Sequence, residues 1–87
     1  MAPATKGLRV DRSLDARGLE GPAAYRKALE TLKELKEYDV LELYLDDGDP
    51  LRTIPFGLRA EGHEIVVSEP ANSGVRLLVR KREPIVP

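Results

Sequence analysis

The chain has 87 residues, 41% of them hydrophobic, with 14 Lys and Arg against 15 Asp and Glu and no cysteine. That length allows one domain with one modest core, since so short a chain removes only about 60–65% of its unfolded surface from water. A formal charge of −1 provides no overall field toward nucleic acid or membrane, and no run approaches the ~20 apolar residues of a membrane span. The missing cysteine excludes disulfides, thiolate nucleophiles, zinc thiolate sites and iron–sulfur clusters.

Residues 1–6 are small or polar without a period and read as a flexible start; the domain is expected over 7–82, with 83–87 a flexible tail. The opening residues contain no apolar segment of signal-peptide type, so the expected address is the cytoplasm. Few thermolabile residues (no glutamine, a single Asn, a single Met) beside many charges fit a thermophilic source.

Leu8 and Val10 alternate with Arg9 and Asp11, the period of a half-buried strand. Ser13 to Pro22 reads as loop, punctuated by Asp15, Gly18 and Gly21-Pro22, with Leu14 and Leu19 as apolar anchors. Pro22 suits a first helical position, where its missing N–H costs nothing. Ala24, Tyr25, Ala28, Leu29, Leu32 and Leu35 then form one helical stripe, opposite Arg26, Lys27, Glu30, Lys33, Glu34 and Glu37. Arg26–Glu30 and Lys33–Glu37 have the spacing of helical ion pairs.

Val40 to Leu45 is mostly apolar, as in a covered central strand. Asp49 is expected to cap a second helix with Pro50 at its first position. Leu51, Ile54 and Leu58 give its spacing, and Gly62 closes it in the left-handed conformation. Pro55 interrupts this pattern: either the helix kinks there, or Thr53 is the true cap. Glu64–Ser68 reads as a third strand, 69–74 as a turn, and Val75–Arg80 as a fourth strand. The order βαβαββ predicts a two-layer α/β sandwich, a four-stranded sheet with both helices on one face, monomeric or weakly dimeric. Its core should centre on Leu29, Leu32, Leu41, Leu43, Ile54, Leu58, Ile65, Val67 and Leu77.

Candidate chemistry is sparse. Asp46, Asp47, Asp49 and His63 lack the spacing of a calcium loop, and the bunched acids read as a polar turn and helix cap. No metal or cofactor is expected. Arg76 and Arg80 share one face of the last strand, extended by Lys81 and Arg82, but no aromatic stacking pair accompanies them on a strand. The loop-to-helix junction remains. Pro22 in the first turn leaves the N–H groups of Ala23 and Ala24 at the positive end of the helix, where a thiolate or anion is favoured. The chemistry asks for a cysteine before Pro22, and the chain supplies Gly21.

At this junction the sequence resembles the TusA (SirA-like) family of small sulfur carriers, marked by Leu-Asp-x-x-Gly-Leu-x-Cys-Pro-x-Pro ahead of a helix. Leu14-Asp15-Ala16-Arg17-Gly18-Leu19-Glu20-Gly21-Pro22-Ala23-Ala24 matches except at Gly21 and Ala24. Asp46-Asp47, Ile54-Pro55, His63-Glu64 and Arg80-Lys81 follow at the family's spacings, so the resemblance runs from about Leu14 to Lys81. It implies a mixed sheet in a fold similar to the C-terminal domain of translation initiation factor 3. Members that carry sulfur hold it as a persulfide on the motif cysteine, taken from a cysteine desulfurase or rhodanese-like donor and passed to a downstream acceptor.

Glycine has no side chain on which to hold sulfur. The resemblance therefore implies a motif loop (Asp15, Gly18, Leu19, Gly21, Pro22, Ala24) and a partner-docking surface (Arg26, Lys27, Asp46, Asp47) without the reaction. Three function classes stay open: a non-catalytic binding or regulatory paralogue in sulfur metabolism, a sulfur-transfer component whose cysteine is missing from this chain, and an RNA-binding domain using the last strand.

Overall fold

A computed structural model describes residues 9–82; residues 1–8, Leu8 of the expected first strand among them, and 83–87 lie outside the described residues. The elements follow in the order β1 (Arg12–Asp15), α1 (Gly21–Lys33), β2 (Val40–Asp46), α2 (Asp49–Ala60), β3 (Glu64–Ala71) and β4 (Gly74–Arg80). The sheet order is β1-β2-β4-β3, with β1 parallel to β2 and the other two pairings antiparallel. This is the mixed four-stranded sheet that the βαβαββ order implies.

The first strand is displaced from its expected place. It lies at Arg12–Asp15, running into the expected Ser13–Pro22 loop, while Val10 and Asp11 precede it. Alternation misleads here because β1 is a short edge strand held by backbone pairing to β2, from Arg12↔Leu41 to Asp15↔Tyr44. Only Leu14 packs on the core. Arg12, on the same face, instead reaches Glu34 at the end of α1 at 2.8 Å. Asp11 ties the entry down: its carboxylate accepts the Val40 N–H at 2.8 Å, and chiefly for that reason its pKa is lowered.

Helix α1 buries the expected stripe through Ala24, Ala28 and Leu32, with Tyr25 and Leu29 half-buried against the core. It ends at Lys33, so Glu37 lies beyond the helix and faces Arg82 at 3.9 Å rather than pairing with Lys33. Its closing carbonyls are capped from a distance: the Lys81 ammonium, on a side chain only 9% exposed, donates to Lys33 O and Leu35 O. A cation at the negative end of the helix dipole is favourable twice over.

Helix α2 begins one residue earlier than expected. Gly48, at φ +99°, takes the cap position, so Asp49 is the first helical residue and Pro50 the second. The helix runs through Pro55 without Thr53 acting as its cap. It closes as a Schellman turn: the N–H groups of Gly62 and His63 donate to Arg59 O and Leu58 O, with Gly62 at φ +98°.

Strand β3 extends to Ala71 despite Pro70, because it is an edge strand with no ladder partner on its outer side. The hairpin turn therefore shrinks to Asn72-Ser73, with Asn72 at φ +52°. Gly74 answers a tight demand at the far end, since a Cβ there would overlap the Leu45 carbonyl oxygen.

Both helices cover the face carrying Leu41, Leu43, Leu45, Leu77 and Val79, and Ile54 and Leu58 of α2 complete that core. Val67 does not belong to it. A bulge between Ile65 and Val67 shifts the register, so Val67 lies opposite Leu78 on the other face and is half-buried. Leu78 is fully buried there. No helix is long and apolar enough to cross a membrane among the described residues.

Candidate functional site

The loop between β1 and α1 is held by three backbone–backbone hydrogen bonds and two carboxylates. Ala16 extends the parallel ladder, its N–H donating to Tyr44 O at 2.9 Å, and its methyl is buried in the core. Asp15 accepts the Arg17 N–H at 3.1 Å and the Arg17 guanidinium at 2.9 and 2.8 Å. The chain then reverses at Gly18, whose φ of +86° suits glycine and few others. The Gly18 N–H donates to the Asp46 carboxylate at 2.7 Å, fastening the loop to the end of β2. Leu19 N–H returns to Ala16 O at 3.3 Å, leaving the Leu19 side chain exposed. Glu20 O then accepts the Ala24 N–H at 2.8 Å, and α1 begins.

Ion pairing carries this order onto the open sheet face. The Arg17 guanidinium holds the Asp15 carboxyl at a pKa of about 2, below its ordinary 3.8, and the pairing raises Arg17 in turn. Arg17 also lies over the Tyr44 ring, 5.2 Å from its centroid. Tyr44 donates to Glu42, which also accepts from Ser13 at 2.7 Å and Arg76 at 2.6 Å. Those bonds, Ser13's first and then Arg76's, lower the Glu42 pKa, while Glu42 raises that of Arg76. Arg76 reaches on to Glu69 at 2.9 Å. Arg17, Tyr44 and Glu42 did not stand out in the sequence; the only local sign is the two-residue spacing of Asp15 and Arg17, which suits a side-chain-to-backbone turn.

Asp15 provides a direct test of this framework. Its native pKa lies below the ordinary value, so the ionised carboxylate favours the folded loop above about pH 4, and that contribution is lost as pH falls toward 2. Carbon-detected NMR titration should give Asp15 a midpoint near 2. Arg17→Ala should move it part of the way back toward 3.8, the Arg17 backbone N–H being retained. An unshifted Asp15 in the parent chain would show the loop to be unheld.

Gly21 is the first residue of α1, preceded by Glu20 as its cap, with Pro22 second. A Cβ at Gly21 would meet nothing within 4 Å, and its φ is not positive. One expectation about this turn needs correction. The Ala24 N–H is taken by Glu20 O, so the donors the first turn leaves to the loop are those of Gly21 and Ala23. The Ala24 side chain is 1% exposed and packs in the core.

Pro22 is exposed, and Arg26 and Lys27 stand exposed one turn beyond. Asp46 serves the loop by holding Gly18, while Asp47 is exposed. His63 accepts the Arg82 N–H at 3.2 Å beside Glu64, which pairs with Arg80. That places it at the end of the sheet away from Asp46, which pairs with Gly74. Among the described residues no three His, Cys, Asp or Glu side chains gather as a metal site.

The basic last strand is not an open patch. Arg76 is engaged by Glu42 and Glu69, Arg80 by Glu64 at 3.1 Å, and Arg82 lies over Tyr38. Lys81 points to the end of α1 and not outward with them.

The family model described as Sulfurtransferase TusA matches residues 12–81, from the first residue of β1 to the residue after β4. The chain belongs to that family.

Proposed function

We propose that this member of the TusA family binds the protein partners of sulfur relay without carrying sulfur itself, a binding or regulatory paralogue of the carriers. The observation that carries this reading is Gly21 on the first position of α1 in a chain with no cysteine, within a loop still fastened through Asp15, Gly18 and Asp46. A persulfide needs a sulfur-bearing side chain at that point, and docking does not. Exposed Leu19 and Pro22 on the loop, with Arg26 and Lys27 beyond them, supply an apolar contact rimmed by cations. The partners by family are a desulfurase or rhodanese-like donor and a downstream acceptor. An RNA role for the last strand has little support, since Arg76 and Arg80 are engaged by carboxylates.

Competition tests the proposal. Sulfur transfer from a purified cysteine desulfurase to a cysteine-bearing family member should slow as this chain is added, and Leu19→Asp should relieve the inhibition. Transfer that proceeds unchanged at large excess of this chain contradicts the reading.

A further inference from the structure

Helix α2 presents a second surface that the motif loop does not include. Its inner side is spent on the core through Ile54 and Leu58. On the outer side Phe56 is 73% exposed, and Arg52 and Arg59 lie four residues before it and three after, on the same stripe. Beside Phe56 is a shallow hollow of about 370 Å³ lined by Arg52, Thr53, Phe56, Gly57 and Ala60. Gly57 keeps α2 close to α1, since a Cβ there would lie 2.7 Å from the Tyr25 ring. The hollow therefore sits on a helix fixed on its other side, pre-organised for binding.

The distribution of ion pairs is uneven in a way that concerns this surface. Arg9, Arg12, Arg17, Arg76 and Arg80 each have a carboxylate within 3.1 Å. Among the described residues Arg26, Arg52 and Arg59 have no carboxylate partner, and two of these three lie on the α2 stripe. We infer that the Arg52–Phe56–Arg59 stripe docks an acidic amphipathic segment of a partner protein, whose apolar side chain fills the hollow over Gly57 and Ala60 while its carboxylates meet the two arginines. An apolar anchor flanked by charges at one-turn spacing is how helical faces are read by partners, and a shallow, mostly apolar hollow along one helix suits a peptide segment. Two cations on a chain of net charge −1 make a small footprint for a polyanion.

The inference rests on α2 alone and is independent of the motif loop. Its probe is a displayed library of short random peptides selected on the full chain, with a single-stranded RNA oligonucleotide and anionic phosphatidylserine vesicles as parallel arms. Selected peptides should combine Asp or Glu with a large apolar residue. They should lose about tenfold or more in affinity on Phe56→Ala. Arg52→Glu with Arg59→Glu should weaken them as much, added salt should weaken them progressively, and Leu19→Asp should leave them unchanged. Phe56 is exposed, so Phe56→Ala should keep the parent melting temperature, which separates lost binding from lost folding. Peptides without acidic residues, peptides indifferent to Phe56→Ala, or RNA or vesicle binding that requires Phe56 would each overturn the assignment.

Discussion

Leu32→Ala should lower the free energy of unfolding by about 2–5 kcal/mol, a large part of what a small domain has. Leu32 is 1% exposed and lies in the cluster that joins α1 to Leu41, Leu43 and Leu58. Truncation removes its transfer energy and leaves a cavity that a core bounded by a sheet and a second helix fills only in part. Leu29, on the same stripe but half-buried, is the internal comparison: Leu29→Ala should cost distinctly less. Chemical denaturation read by circular dichroism measures both. A Leu32→Ala cost below about 0.5 kcal/mol would mean that α1 does not present this face to the sheet.

The elements readable from sequence were those whose burial imposes a period. Helix α1 shows its buried positions at 24, 28 and 32, and β2 is covered enough to read as an apolar run. Strand β1 is not legible in the sequence because it sits at an edge and has one core residue, Leu14; backbone pairing, which leaves no compositional trace, makes it a strand. The same edge logic lets Pro70 sit inside β3, where it looked like a turn. Val67 reads as a core residue in the sequence because one bulged residue, which alternation does not reveal, reverses the faces after it.

At the candidate site the motif residues were visible as a string, and Pro22 marks the start of α1 to within one residue, the helix opening at Gly21 and not at Pro22. What fastens the loop was not visible. Asp46 holds the Gly18 N–H from 28 residues away, a contact that depends on β1 lying parallel to β2. Lys81 looked like part of a basic patch, yet its strand end delivers it to the carbonyls at the end of α1, 46 residues away in sequence from Leu35. Such pairings follow from topology, and local spacing does not encode them.

The direct test of the central claim, an inherited docking loop without the sulfur-bearing group, is to restore that group with Gly21→Cys. The space is open and the backbone ordinary, so the variant should fold as the parent does. Its thiol would stand on the first position of a 13-residue helix, beside the N–H groups of Gly21 and Ala23 at the positive end of the dipole. These favour the thiolate, so its pKa should fall below the free value of about 8.5. The exposed Glu20 carboxylate next to it opposes the shift and keeps it moderate. Alkylation rate against pH, with a cysteine placed at exposed Glu34 as control, measures that value. The decisive reading is mass spectrometry after incubation with a cysteine desulfurase and free cysteine: Gly21→Cys should gain one sulfur atom as a persulfide, and Glu34→Cys should not. A Gly21→Cys thiol that alkylates readily yet gains no sulfur would contradict the claim, because the loop would then have lost its partner surface along with its cysteine.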